Sequence, residues 1–392
     1  MKNEPLYQII MKELTEKIEK RYWKVGEAIS TEAELERQYG VSNITVRRAL
    51  NELENQGLIY RVKGRGSFVC EPPATPVRGG AATSSKVISL IVPFASSIGV
   101  AIHVLEGLTE CINGSGYVIN VINSQSSTAR EREMLLTSMK ESAGIILYPI
   151  TTQSNVDVLC YMAANHYPFV VIDTNYGHFP FCCVESDNRH GGYSITEYLI
   201  HKGHQNIAFL NHTQIEYNSS MANRFMGYAV ALADNGIGMD MQQIITDYNA
   251  IARDNCPRAY RELMETHGLL DSWEEFYKIV MERLLEQGAT AVVCTHDGLA
   301  ADIIKIAAIM GVAVPGKLSV VGFDNHSYAE HLSVPLTTVN QNLREIGFMA
   351  GKVLKKCLNE QENVQEDLIR IPTSIVERSS VRDLTGLSAF ER

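Results

Sequence analysis

The chain has 392 residues, enough for two or three domains, and its 45% hydrophobic and 20% charged residues are the balance of a globular protein. No apolar run approaches the ~18 residues of a membrane-spanning helix, which excludes that class. The net charge of −10 argues against a chain basic throughout; residues 1–70 carry 12 Lys and Arg against 10 Asp and Glu, and the remainder sums to −12.

Pro5 suits the first turn of a helix, and Leu6, Ile10, Leu14 and Ile18 follow at four-residue spacing to an end near Trp23–Gly26. Thr31-Glu32-Ala33-Glu34 is a capping box opening a second helix with Leu35 and Tyr39, closed by Gly40. Ser42 is placed to cap a third helix, in which Val46, Ala49, Leu50 and Leu53 mark the buried face. Its other face carries Asn43, Arg47 and Asn51, with Arg48 beside them and Glu52 four residues beyond Arg48. Gly57 ends the helix, and Leu58–Val62 and Ser67–Val69 read as strands around the turn Lys63-Gly64-Arg65-Gly66. A polar, basic helix face followed by a basic hairpin suits a DNA major groove and its flanking phosphates. The expectation is a winged helix-turn-helix over 1–70.

Residues 71–85, EPPATPVRGGAATSS, have linker composition. From Lys86 the pattern changes to apolar, strand-length runs alternating with helix-length stretches. The runs are Val87–Pro93, Tyr117–Asn123, Gly144–Pro149 and Phe169–Thr174, then Asn206–Asn211, Ile244–Tyr248, Ala291–His296 and Ser319–Asp324. Such runs imply parallel sheets covered on both faces, in a two-lobed α/β body over 86–382 with a tail at 383–392. Several runs end in Tyr148, Asp173, Tyr248, His296 or Asp324, and ligands of open α/β sheets sit beyond the carboxyl ends of strands. A ligand cleft between two lobes is expected.

The eight cysteines, at 70, 111, 160, 182, 183, 256, 294 and 357, lack metal-ligand spacing and read as free thiols; adjacent Cys182 and Cys183 seldom bridge. His201, His204 and His212 have no companions at metal spacing, so no metal is expected. No phosphate loop or nucleophile elbow occurs, so neither an enzyme nor a cofactor is expected. The N-terminus MKNEPLYQIIMKELTEK carries charges throughout and lacks a signal-peptide core, which implies a cytoplasmic protein.

Two resemblances cover nearly the whole chain. STEAELERQYGVSNITVRRALNELENQGLIYRVKGRGSFV resembles the GntR-type winged helix. GYSITEYLIHKGHQNIAFL, NRFMGYAVAL, TAVVCTHDGLAADIIKIAAIMGVAVPGKLSVVGFDN, LTTVNQNLREIGFMAGKVLKKCL and IPTSIVERSSV resemble the effector domain of the LacI/GalR repressors, a type I periplasmic-binding-protein fold. The combination is similar to the arabinose-responsive repressors of Gram-positive bacteria. The first resemblance implies DNA contacts by Ser42, Asn43, Thr45 and Arg47, with Lys63 and Gly64 at the wing; the residues themselves add Arg48 and Arg65 as candidates. Asn43 stands where family members often have Arg, and Asn pairs most naturally with adenine. The second implies an effector held by Asp173, Arg224, His296 or Asp297, Asp324 and Gln341, with Tyr148 and Tyr248 as stacking or edge contacts. His296 stands where the family commonly has Asn before the aspartate. Carboxylates that bond paired hydroxyls, an Arg fork and aromatic faces suit a mono- or oligosaccharide. The linker lacks the hinge-helix pattern of LacI/GalR proteins, so coupling is expected to run through the geometry of a homodimer.

The expected function is a dimeric repressor of carbohydrate genes, released from double-stranded operator DNA by a sugar. The alternatives are a ligand acting as co-repressor or activator, or a body that only dimerises.

Overall fold

The computed structural model describes residues 6–20, 22–24, 26–55, 58–62, 66–69, 85–93, 98–177, 179, 181–211, 215–246, 270–360 and 368–386. Gly57, the wing-tip residues Lys63, Gly64 and Arg65, the linker through residue 84, His212 and Tyr248 lie outside them. The chain divides into two compact units, Met1–Ala81 and Ala82–Arg392.

In the first unit, α1 (Leu6–Glu19), α2 (Glu32–Tyr39) and α3 (Asn43–Asn55) precede an antiparallel ribbon, β1 (Ile59–Val62) and β2 (Gly66–Val69). The capping box forms as its sequence dictates: Thr31 N donates to Glu34 Oε2 at 2.7 Å, and Glu34 N donates to Thr31 Oγ1 at 3.4 Å. Gly40 ends α2 at φ +64°, a conformation costly for any residue with a Cβ. Ile10, Leu14, Ile18, Leu35, Val46, Ala49, Leu50 and Leu53 form the core, joined by Ile59 and Val69. Leu6, expected on the buried face, is 59% exposed, because α1 starts beyond the edge of that core. The ribbon gains an extension the sequence did not advertise: Ala28 bridges to Phe68, and Ile29 N donates to Ser67 O at 2.9 Å.

The second unit holds two six-stranded sheets. The first contains β3 (Val87–Val92), β4 (Val118–Asn123), β5 (Gly144–Leu147), β6 (Phe169–Ile172), β7 (Cys183–Ser186) and, late in the chain, β13 (Leu368–Ile371), all pairing in parallel. The second contains β8 (Ile207–Leu210), β9 (Ile244–Ile245), β10 (Ala291–Cys294), β11 (Ser319–Asp324), β12 (Thr337–Asn340) and an antiparallel edge, β14 (Ser374–Val376). Helices α4 (Ile98–Ile112), α5 (Thr128–Glu141), α6 (Val156–Ala164) and α11 (Leu343–Glu360) cover the first sheet. Helices α7 (Asn188–His201), α8 (Ser219–Asp234), α9 (Leu270–Glu286) and α10 (Asp297–Ile309) serve the second.

The chain passes between lobes at three places, after β7, after β12 and after β13. These crossings are tied together: Ser186 Oγ donates to Gln341 O at 3.0 Å, Asp187 N to Ile371 O at 2.8 Å, and Asn342 Nδ2 to Pro372 O at 2.7 Å. Among the described residues, no helix is long and apolar enough to cross a membrane.

Candidate DNA interface and effector cleft

In the first unit, the exposed face of α3 is organised from α2. Glu32 Oε2 accepts from Arg47 Nε at 2.9 Å and from Asn43 Nδ2 at 3.4 Å, and Glu36 Oε1 also accepts from Asn43 Nδ2. Ser42 receives the first helical amides on its carbonyl, from Thr45 N at 2.9 Å and Val46 N at 3.2 Å. Its hydroxyl pairs with that of Thr45 at 3.1 Å. The Arg48 guanidinium lies 4.0 Å from the centre of the Tyr7 ring, a cation–π contact that sets this side chain against α1. The side chain of Glu52, its candidate partner, lies outside the described residues.

In the second unit, the expected effector residues cluster where strands end. Helices α7 and α8 cross at glycines: a Cβ on Gly192 would lie 2.3 Å from Arg224 O, and one on Gly227 would lie 2.2 Å from Arg189 O. This close approach brings Arg224 to the buried cluster. Its Nε donates to Asn188 Oδ1 at 2.8 Å, its Nη1 to Thr295 O, and its guanidinium stacks 3.7 Å over the Phe323 ring. Arg224 Nη1 lies 3.5 Å from Asp324 Oδ1, which also accepts from Gln341 Nε2; Asp324 Oδ2 lies 3.4 Å from His326 Nε2. Ser186 Oγ donates to Gln341 Oε1 at 3.0 Å, which fixes the orientation of that amide.

Asp324 and Asn325 turn out of β11 at φ +118° and +57°, uncommon for residues with side chains. Arg378 braces the turn, donating to Asn325 Oδ1 at 2.8 Å and Leu336 O at 2.7 Å. Burial opposes ionisation of Asp324, but the hydrogen bond from His326 and the charge of Arg224 outweigh it and hold the carboxyl below its usual value. Burial likewise works against a charged His326, yet the pairing with Asp324 raises it overall.

In the other lobe, Asp173 ends β6 at φ +68° and is 2% exposed. Its Oδ2 accepts from Thr174 Oγ1 at 3.2 Å and from Ser220 Oγ at 3.3 Å; Ser220 Oγ, from the opposite lobe, also donates to Asp173 O at 2.5 Å. Its Oδ1 is buried with no donor at hydrogen-bonding geometry. Burial raises this carboxyl, the Arg224 charge opposes that, and the Tyr148 phenol beside it acts in the same sense as Arg224. Tyr148 is itself raised, first by burial and then by Asp173 and Asp324. The structure therefore gathers Tyr148, Asp173, Arg224, Asp324 and Gln341.

His296 and Asp297 are placed differently. His296 is the N-cap of α10, its Nδ1 accepting from Leu299 N at 3.2 Å; burial lowers it to about 4, so it is neutral with its proton on Nε2. Asp297 is fully buried and both its oxygens are used, one by Thr338 Oγ1 at 2.5 Å and one by His326 N at 2.8 Å. Burial, with Asp324 nearby, pushes its carboxyl up to about 7. Asn188, Ser220, Thr295 and His326 complete the site and were not singled out from sequence. His326 carried a usable signal, standing two residues beyond Asp324.

Two histidine and thiol expectations resolve structurally. His204 is buried between Thr290 Oγ1 at 2.9 Å and Arg382 O at 3.2 Å, and burial lowers it to about 4. Cys182 and Cys183 form no disulfide, and burial raises the Cys183 thiol well above its ordinary value.

Comparison with known proteins finds three matching family models. Residues 6–69 match "Bacterial regulatory proteins, gntR family"; 87–267 match "Periplasmic binding proteins and sugar binding domain of LacI family"; and 196–381 match "Periplasmic binding protein-like domain". The chain is 28% identical over 386 residues to an arabinose metabolism transcriptional repressor of Geobacillus stearothermophilus, covering 96% of this chain and 98% of the relative. It is 26% identical to the protein of that name from Halalkalibacterium halodurans, covering 90% of each. Similar solved structures include the transcriptional regulator CelR in complex with cellobiose (TM-score 0.63, 18% identity, 87% of this chain and 91% of that one). Transcription regulator CcpA of Lactococcus lactis is also similar (TM-score 0.63, 23% identity, 76% of this chain and 100% of that one). At these identities the structural matches speak for the fold alone.

Proposed function

We propose that this transcriptional regulator, which joins a gntR-type DNA-binding domain to a LacI-type periplasmic-binding-like domain, represses carbohydrate-utilisation genes until a sugar releases it from its operator. It is not an enzyme. The DNA-binding head spans 1–70, the linker 71–85 and the effector body 86–382; Ser42, Asn43, Thr45 and Arg47 read the operator. The observation that carries the sugar reading is the buried carboxylate of Asp173, whose Oδ1 lacks a hydrogen bond of good geometry although the Tyr148 phenol lies beside it, in a cluster that also holds Asp324 and Arg224. An acceptor in that state gains most from a hydroxyl donor, and a sugar presents several at fixed spacing.

The names of the two arabinose-repressor relatives make pentoses the first candidates. The lobes already touch at the cleft mouth, where Thr152 N donates to Tyr217 O at 3.1 Å and Asn175 N to Ser219 Oγ at 2.9 Å. A sugar bridging Asp173 and Asp324 would hold that closed state. In a homodimer bound to a pseudo-palindromic operator, closure would alter the spacing of the two heads. A preference of ~5 kcal/mol between states is enough to switch occupancy almost fully. Titration calorimetry against pentoses, hexoses and disaccharides, followed by operator gel shifts with each binder, tests this. No binder across the panel, or a binder that leaves operator affinity unchanged, removes the inducer reading; tighter operator binding makes the ligand a co-repressor.

A further inference from the structure

The side chains placed to read the operator are engaged within the head itself. Glu32, in the first turn of α2, holds Arg47 through Nε at 2.9 Å and reaches Asn43 Nδ2 at 3.4 Å. Glu36, one turn later, accepts from the same Nδ2. A carboxylate only accepts, so both contacts turn the N–H pair of Asn43 towards α2 and its Oδ1 away from it. Reading adenine with two hydrogen bonds requires a donor to N7 as well as an acceptor for the N6 amine. Here the donor is occupied. Arg47 is engaged through Nε alone and its side chain stays 62% exposed, which leaves the Nη1–Nη2 edge free to fork onto O6 and N7 of a guanine.

We infer that Glu32 and Glu36 are specificity-determining positioning residues, holding Arg47 end-on for guanine and making Asn43 an acceptor for an exocyclic base amine. Asn43 then reads the N4 amine of cytosine or the N6 amine of adenine, which differs from the adenine pairing expected for a free Asn. Two carboxylates this close to the interface also repel phosphate, so the arrangement lowers affinity for every sequence while sharpening the choice among them. The inference rests on the operator-reading function proposed above.

The test is selection from a randomised-core duplex library with the full-length chain, comparing the wild type with Glu32→Ala/Glu36→Ala. Wild type should select guanine at one position and accept cytosine or adenine at a neighbouring one. The double variant should bind arbitrary DNA more tightly, lose about tenfold of its guanine selectivity, and sharpen the neighbouring position towards adenine. Adding Glu32→Ala to Arg47→Ala should change the guanine position no further, since Glu32 acts through that side chain. Base preferences identical to wild type overturn the inference, and so does a uniform rise in affinity, which is charge removal alone. No consensus from the wild type overturns the operator-reading function itself. Should the double substitution unfold the head, Glu36→Ala alone carries the expectation at the Asn43 position.

Discussion

Replacing Asp173 by Asn should stabilise the ligand-free protein while weakening its response to sugar. In the wild type, Oδ1 is buried without a hydrogen bond of good geometry, and Oδ2 satisfies Thr174 and Ser220. An amide of the same shape can keep its oxygen on the Thr174 and Ser220 side and removes a buried charge. The amide nitrogen then takes the place of Oδ1 and stays unsatisfied, so the gain comes only from the removed charge. The gain should be about 1–2 kcal/mol, seen in calorimetry as a rise of roughly 2–4 °C in melting temperature. Sugar would then meet an N–H where it needs an acceptor. Losing a hydrogen bond to a charged group, ~1.5–3 kcal/mol, corresponds to an effector affinity about 10- to 100-fold weaker. The pH dependence has a defined sign. Because burial raises the folded carboxyl above its unfolded value, the folded state binds more protons in that window and wild-type stability falls as pH rises through it. Asp173→Asn should lack that slope. A variant that melts lower than wild type and binds sugar equally well would refute the reasoning, and would make Asp173 a structural acid clasping the lobes through Ser220.

Asp297→Asn should flatten a second slope. Its carboxyl is pushed up to about 7, so stability is lost as pH rises from the ordinary carboxylate range through about 7; His326, also raised, adds loss in the same direction. Melting curves across that range should fall for the wild type and fall less steeply for the variant, which keeps the His326 and Asp173 contributions, with the Thr338 hydroxyl turning to accept from the new amide. Gly192→Ala places a Cβ 2.3 Å from Arg224 O, so α7 and α8 must part. Calorimetry should show a loss of about 1–3 kcal/mol, and effector affinity should fall as Arg224 leaves Asn188 and Asp324. Arg47→Ala should weaken operator binding by about tenfold or more in gel shifts and relax selectivity at its guanine.

The DNA-binding head was largely legible in the sequence because its signals are local. The Thr31–Glu34 capping box and the Val46, Ala49, Leu50 and Leu53 stripe each lie within two turns, and all four stripe residues are at most 1% exposed. The bridge from Ala28 to Phe68 on β2 was not legible, since residues 26–29 carry no strand pattern. In the body, the long central runs announced themselves, but β7, β12, β13 and β14 did not. They flank the crossings, where pairing partners such as β7 and β13 stand far apart in the chain. The cleft shows the same division. Asp173, Arg224 and Asp324 were named from the ends of strands and from resemblance. The roles of Asn188, Ser220 and Thr295 depend on the α7–α8 crossing and on contact between lobes, neither of which leaves a periodic trace. The acceptor-only state of Asn43 was equally invisible, because it is set by a neighbouring helix.

The three tied crossings have a consequence for how the chain reaches its fold. The first lobe is not finished when its first five strands have been made, because α11 and β13 arrive only after the second lobe has been threaded. Neither lobe can then complete its core alone, and closing such long loops makes folding slow. Damage is therefore felt far from where it occurs. A premature stop near residue 341 would spare every residue of β3 to β7, yet it would remove the helix that packs against α4 and the strand that covers β7. The end of the gene thus holds together the domain's beginning, and truncation there should yield an insoluble chain rather than a one-lobed regulator.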